Sequence, residues 1–158
     1  MKIRRVFTVS GFVMRRRSMR RRVRKRGGLR GSAKEYAAHK ERARVTAHER
    51  IRHFNLSYGF AIGRITIRNQ RSRWGSASKK GNLNFHYKIA LLPPRLADYI
   101  IVHELCHLAE FNHSPRFWSL VAKMLPDHKE RKGELKKVEK EGLTIEDYSD
   151  LVEKQEDS

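Results

Sequence analysis

The chain has 158 residues, enough for one domain with a hydrophobic core and few for two. Its formal net charge is +19, and its single cysteine, Cys106, excludes an internal disulfide. A lone cysteine is typical of a reducing compartment, so we expect a cytoplasmic protein. No apolar run approaches the roughly 20 residues that span a bilayer, which predicts a protein with no membrane-spanning segment and no membrane partner.

The basic charge is concentrated at the start of the chain. Residues 1–34 contain 14 lysines and arginines and no acid, whereas residues 127–158 contain 7 basic and 11 acidic residues. These compositions predict a disordered basic leader over residues 1–32 and an acidic tail over residues 143–158. The leader could be attracted to nucleic-acid phosphates, although a solvated tail with no dedicated partner is the simpler interpretation.

Residues 33–142 carry the periodic patterns of one folded domain, beginning with a long helix. From Lys34, apolar residues recur at helical spacing opposite a charged face. The apolar positions are Tyr36, Ala43, Ala47, Ile51, Phe54 and Tyr58. We interpret His39, His48 and His53 as surface or packing residues, because no acidic or cysteine partner lies at ligand spacing.

After Gly59 and Gly63 the hydrophobic period falls to two, which predicts β-strands. The expected strands cover residues 62–68, 71–78 and 83–89. A turn at residues 79–81, with glycine available for positive φ, would join the last two strands in a hairpin. The return strand would bury Leu83, Phe85, Tyr87 and Ile89 on one face.

Helices complete the expected α+β fold. Pro94 opens a stretch that is apolar almost all round as far as about Phe111, which predicts a buried helix. Ser114 followed by Pro115 has the form of another helix start. A charged helix is expected from about residue 129 to residue 141.

The predicted buried helix contains His103, Glu104 and His107, which are unusual residues for a core. Residues four apart on a helix lie about 6 Å apart along the axis and nearly on one face, so both imidazoles could bind one ion. This is the H-E-x-x-H arrangement of metallohydrolases, with imidazole ligands to Zn²⁺ and the glutamate as general base. Satisfied core histidines are the alternative interpretation, but each uncompensated buried polar group costs roughly 1–3 kcal/mol.

A third ligand must come from beyond this helix. We prefer His113, because Asn112 before it tolerates the left-handed backbone that ends helices and a sharp corner would bring its ring back toward the ion. Glu110 is the alternative ligand, and it could instead support a ligand histidine. We interpret Cys106 as a small buried thiol, since it points about 100° away from His107 around the helix.

Several motifs within residues 71–118 resemble the YgjP-like zinc metallopeptidase family, which is related to the SprT-like and wider gluzincin-type proteases. They are RWGS at 73–76, LPP at 92–94, HELCH at 103–107, NHS at 112–114 and FW at 117–118. The resemblance implies a zincin-like fold in which a long helix and a small antiparallel sheet accompany the metal-bearing helix. It also implies zinc at His103, His107 and His113, with Glu104 as catalytic base.

The sequence departs from this family in two places. Ala77 stands where the family usually has a cysteine, so we assign that position no role. The family's β-rich N-terminal portion is not recognisable in residues 1–34, which are rich in arginine instead.

The predicted activity is zinc-dependent hydrolysis of a peptide or protein, with the substrate extended along an exposed edge of the sheet. The hairpin supplies candidates for contacts with the substrate or the oxyanion. These are Arg73, Asn84, His86 and Tyr87. We expect Trp74 to pack in the core.

Two other functions remain open at this stage. The zinc-bound water could attack a nucleotide phosphoanhydride beside the basic residues of the sheet, which are Arg68, Arg71, Arg73, Lys79 and Lys80. Alternatively, the chain could be a nucleic-acid-binding protein in which zinc is structural, and this function would require a fourth protein ligand.

Overall fold

The structure, a computed structural model, describes residues 28–141. The described chain forms α1 (Ala33–Tyr58), β1 (Ile65–Arg68), β2 (Gly75–Ala77), β3 (Leu83–His86), a 3-10 helix (Tyr87–Leu91), α2 (Pro94–Cys106), α3 (Pro115–Met124) and α4 (His128–Glu141). The predicted α+β class is confirmed. The acidic tail and the leader as far as residue 27 lie outside the described residues.

Helix α1 begins and ends where its capping residues predict. The Ser32 hydroxyl accepts a hydrogen bond from the backbone N–H of Glu35 at 3.1 Å, which satisfies one of the free donors of the first turn. Gly59 ends the helix in the left-handed conformation, with φ 67°. The predicted apolar stripe is buried at Ala43, Ala47, Ile51 and Phe54. On the same helix, His48 and His53 are exposed and His39 is half-buried.

The sheet has the strand order β1-β3-β2. Strands β2 and β3 form the predicted antiparallel hairpin, in which Gly81 has φ 80° in the turn. Strand β1, however, pairs with β3 in parallel, so the sheet is mixed rather than wholly antiparallel. The loop over residues 69–74 passes from one edge of the sheet to the other, and Asn69 and Arg71 in it bond to the backbone before α1 instead of continuing a ladder.

Strand β3 is shorter than the alternation predicts. The ring of His86 accepts a hydrogen bond from the backbone N–H of Lys88 at 3.1 Å, which starts the 3-10 helix. Tyr87 and Ile89 are buried as expected, although they reach the core from a helical turn.

Helix α2 lies inside the protein, as its composition predicts. Ile101, Val102 and Leu105 are fully buried and belong to the core cluster that also contains Leu83 and Phe85 of β3. The helix ends at Cys106, earlier than expected, and turns occupy the next three residues. No helix among residues 28–141 is long and apolar enough to cross a membrane.

Ion pairs hold α2 against its neighbours. Arg50 of α1 and Asp98 of α2 form a two-pronged pair, with Nη2 and Oδ2 at 2.7 Å. Arg95, in the first turn of α2, donates to Glu134 of α4 at 2.6 Å and to Asp127 at 3.3 Å. Helix α4 is therefore fixed along one side of the helix that carries the H-E-x-x-H pattern.

Candidate active site

Three histidine rings meet at the end of α2. The Nε2 atom of His103 lies 3.2 Å from Nε2 of His107 and 3.1 Å from Nε2 of His113. One ligand nitrogen from each ring falls within 4.8 Å of the others, and this is the one such histidine cluster among the described residues. Phe117 packs against all three rings, with its centroid 4.9 Å from His103, 4.5 Å from His107 and 4.9 Å from His113.

A corner in the backbone brings His113 to the other two histidines. Helix α2 stops at Cys106, and α3 starts at Pro115 with the Ser114 hydroxyl accepting from the N–H of Phe117 at 3.3 Å. His113 is thus placed directly before the cap of α3. Its ring stacks on Trp118, with centroids 5.7 Å apart.

Glu110, the alternative third ligand, does not join the cluster. Its carboxylate forms an ion pair with Nε of Arg116 at 3.1 Å. Its backbone carbonyl accepts a hydrogen bond from Nδ1 of His107 at 3.0 Å. Glu110 therefore orients His107 through a main-chain carbonyl. Every residue has such a carbonyl, so the glutamate side chain could not predict this contact.

The cluster fits a divalent metal ion. Because Nδ1 of His107 donates its proton to a carbonyl, the lone pair of that ring is on Nε2, which faces the other rings. Two ligand nitrogens of a tetrahedral zinc ion, each at 2.0–2.1 Å, would be about 3.3 Å apart, close to the spacings seen here. Burial, followed by the charges of His107 and His113, lowers the pKa of His103 to about 3 and favours the neutral, metal-binding ring. Nδ1 of His103 is buried and has no hydrogen-bond partner among residues 28–141.

Glu104 lies beside this cluster in a nearly dry position. Its residue is 8% exposed, and burial raises the pKa of its carboxyl to about 7, against a smaller lowering by Arg73. Gly75 of β2 makes room for it, because a Cβ at that position would lie 2.6 Å from Cγ of Glu104. A buried carboxyl that titrates near neutrality suits proton transfer.

A cavity of about 240 Å³ opens next to Glu104 and His103. Its walls include Trp74, which directly precedes β2, Tyr99 of α2 and Leu135 of α4. Trp74 packs against the core as expected, but it also lines this cavity, and its indole N–H donates to Oε1 of Glu139 at 2.7 Å. Helix α4 is thus one wall of the cleft beside the metal site.

The hairpin candidates are mostly placed elsewhere. His86 is fully buried, with Nε2 donating to the carbonyl of Gln70 at 3.1 Å and Nδ1 accepting from Lys88, and burial lowers its pKa to about 4. Tyr87 is buried edge-on to Tyr36, at 5.6 Å between ring centroids. Neither side chain lines the cavity.

Asn84 is on the far side of the sheet from Glu104. Its amide donates to the Ser76 hydroxyl at 3.2 Å, and Ser76 points away from the face that Gly75 presents to Glu104. Arg73 alone among the four candidates acts on Glu104, through its charge.

The sequence reasoning missed residues that shape the site. Gly75 and Phe117 belong to motifs quoted above. Their spacing in the sequence did not predict that Gly75 contacts Glu104 or that Phe117 contacts the histidines. Lys132 and Leu135 of α4 border the cavity, and the sequence predicted only that this helix is charged.

The chain resembles known metallopeptidases in sequence and in fold. The family profile described as "YgjP-like, metallopeptidase domain" matches residues 14–138. The metallopeptidase zymogen abylysin of Pyrococcus abyssi has a similar structure, with a TM-score of 0.52 and 25% identity over 56% of this chain and 90% of that chain. The metallopeptidase zymogen jannalysin of Methanocaldococcus jannaschii shares the fold at a TM-score of 0.50 and 23% identity, over 60% of this chain and 95% of that one. No curated protein matches the chain significantly.

Proposed function

Because the chain belongs to the YgjP-like metallopeptidase family, we propose that it is a zinc-dependent peptidase with His103, His107 and His113 as ligands and Glu104 as general base. The observation that carries this proposal is the convergence of three imidazole nitrogens within 4.8 Å beside a buried carboxyl. Three nitrogen ligands and no fourth are typical of a catalytic zinc site, and imidazole suits zinc among the common divalent ions.

Zinc, Glu104 and Glu110 have separate roles in the proposed hydrolysis. A bound zinc ion supplies a water of lowered pKa and an electrophile for the developing negative charge. Glu104 takes a proton from the attacking water and passes it to the leaving amine, a transfer suited to its pKa of about 7. The Glu110 carbonyl holds the ring of His107 in the tautomer that leaves Nε2 free.

The cleft suits an extended peptide. Among the strands of residues 28–141, β2 is at the edge of the sheet and pairs with β3 alone, so its other side can pair with a substrate backbone. Gly75 of this strand touches Glu104, so a peptide along β2 would pass the general base. The adjoining cavity has room for about one side chain at its volume of about 240 Å³.

The two other functions receive less support. Five basic residues were considered for a phosphoanhydride, and none of them lines the cavity beside Glu104. All are exposed, namely Arg68, Arg71, Arg73, Lys79 and Lys80, and only the charge of Arg73 acts on Glu104. A structural zinc site would need a fourth protein ligand, and residues 28–141 offer three histidines in one cluster. Cys106 is buried, and its thiol hydrogen-bonds to the hydroxyl of Tyr58.

Replacing Glu104 by glutamine tests the proposal. The variant should bind zinc as the wild type does but lose a factor of about 10²–10⁴ in kcat/KM on an unfolded protein substrate, since a positioned base contributes that much. Glu110→Gln is the matched control, because its carboxylate pairs with exposed Arg116 and does not enter the cluster, and it should retain most activity. A zinc-loaded Glu104→Gln protein with full activity would refute the mechanism.

A further inference from the structure

A long stretch around the sheet contains no acidic residue. Residues 50–97 include ten lysines and arginines and no aspartate or glutamate. Six of these basic residues lie on or next to the sheet, and we call them the basic band: Arg64, Arg68, Arg71, Arg73, Lys79 and Lys80. All six are exposed, and none forms an ion pair with a residue between 28 and 141.

The band runs along β1 and past both of its ends. The backbone carbonyl of Arg64 accepts from the N–H of Leu83, and Gly63 bonds to Gly81, which places Arg64 beside the turn that carries Lys79 and Lys80. Arg68 ends β1, and Arg71 and Arg73 follow in the next loop. Four strand residues at about 3.3 Å each separate the two groups by roughly 13 Å, a span that covers several phosphates of a nucleic-acid strand.

The arginine-rich leader joins the chain at one end of this band. The N–H of Leu29 donates to the carbonyl of Arg71 at 3.0 Å, and Asn69 exchanges two hydrogen bonds with the backbone of Gly31. Residues 1–27, which contain 12 lysines and arginines and no acid, therefore connect to the described chain beside Arg71.

Exposure to solvent does not explain why acidic residues are missing around the sheet, because soluble domains normally carry charges of both signs side by side on their surfaces. Acids in and directly before α4 show the contrast: Asp127, Glu130 and Glu134 are all paired with Arg95. Unpaired cations held close together repel one another, and a polyanion relieves that repulsion.

We propose that the basic band binds nucleic acid through its phosphates without reading base sequence. Arginine and lysine contacts to phosphate supply affinity of this kind. The outward face of the sheet presents Thr66, Ser76 and Asn84 at the middle of its strands, and these side chains offer no aromatic surface on which bases could stack. Glu104 contacts Gly75 on the opposite face of the sheet, so nucleic acid bound along Arg64 and Arg68 leaves the proposed peptidase cleft open.

The test uses the full chain and a fluorescent DNA duplex of about 20 base pairs, titrated between about 50 and 200 mM salt. One variant carries Arg64→Gln, Arg68→Gln and Lys80→Gln. A matched control carries Lys129→Gln, Lys137→Gln and Lys140→Gln, which removes three exposed charges from α4. Thermal unfolding of each protein verifies that it folds.

The wild type should bind, with an affinity that falls steeply as salt rises. The band variant should bind at least about tenfold more weakly, and its log–log salt slope should be shallower by about 0.9 for each phosphate that it no longer neutralises. The α4 control should stay within about twofold of the wild type. Glu104→Gln should bind DNA like the wild type, so the result does not depend on the peptidase proposal.

Three outcomes would overturn the inference. The first is a wild-type protein that does not bind the duplex. The second is an equal weakening of binding in the two triple variants, which would show a response to net charge alone. The third is tight binding to phosphatidylserine vesicles with no affinity for the duplex, which would identify an anionic membrane as the partner instead.

Discussion

At the scale of single residues, the contact with Glu104 explains why a glycine stands at position 75 of β2. A side chain there would lie 2.6 Å from Cγ and 3.0 Å from Oε1 of Glu104. The carboxyl is thus held between α2 and the backbone of β2. The close approach also contributes to the burial that raises the pKa of Glu104 to about 7.

Gly75→Ala should therefore displace Glu104 without removing a metal ligand. We expect kcat/KM to fall by about tenfold to a hundredfold, since a misplacement of about 1 Å can cost a factor of 10², while zinc content stays near that of the wild type. Gly133→Ala is the control, because a Cβ at Gly133 meets nothing within 4 Å. In the interior of α4 this alanine should stabilise the protein by about 0.5–1 kcal/mol and leave activity unchanged. A fully active Gly75→Ala enzyme would contradict this account of the glycine.

The residue scale also shows how far a pattern can predict a site. The spacing of His103, Glu104 and His107 depends only on helix geometry, so it could be interpreted without coordinates. His86 and Tyr87 could not, because alternation assigns faces only while the strand continues. The His86 ring caps a 3-10 turn instead, and both side chains enter the interior.

At the scale of elements, the corner between α2 and α3 assembles the histidine cluster. The corner begins where α2 ends, at Cys106. It ends where α3 begins, at the Ser114 cap and Pro115. The cap was visible in the sequence because capping is local chemistry. The mixed sheet was not, since the position of β1 depends on contacts between residues 28–31 and the loop at 69–74, which are about 40 residues apart.

Ser114→Ala should separate the role of this cap in stability from its role at the metal. Loss of the hydrogen bond to Phe117 should lower the free energy of unfolding by about 1 kcal/mol and weaken zinc binding, because His113 precedes the cap directly. Ser32→Ala removes the equivalent bond of α1, at 3.1 Å to Glu35, far from the cluster. Ser32→Ala should lower the free energy of unfolding by a similar amount and leave zinc affinity unchanged. Denaturant unfolding measures the stability of each variant, and a zinc competition titration measures its affinity for zinc. An equal loss of zinc affinity in the two variants would show that the corner between α2 and α3 has no particular role in zinc binding.

At the scale of the whole molecule, the fold separates three tasks. The core formed by α1, α2 and β3 is apolar and close to continuous. The basic band follows β1 and the loops at its ends, and the cavity beside Glu104 lies between the start of β2, α2 and α4. The C-terminal end of α2 and the N-terminal end of α3 are held together by the packing of Phe117 against the three histidines, which come from both sides of the corner.

Metal binding should therefore stabilise the entire domain. The cluster forms only in the folded chain, so free zinc at about 100 times its Kd should add about 2.7 kcal/mol to the free energy of unfolding, which corresponds to roughly 10 °C in Tm for a domain of this size. Chelation should remove that increment, and His113→Ala should abolish most of it. His48→Ala, which changes an exposed histidine of α1, should keep the full shift. If scanning calorimetry gave the same Tm with and without zinc, or if His48→Ala lost the shift as well, the three-histidine cluster would not be the metal site.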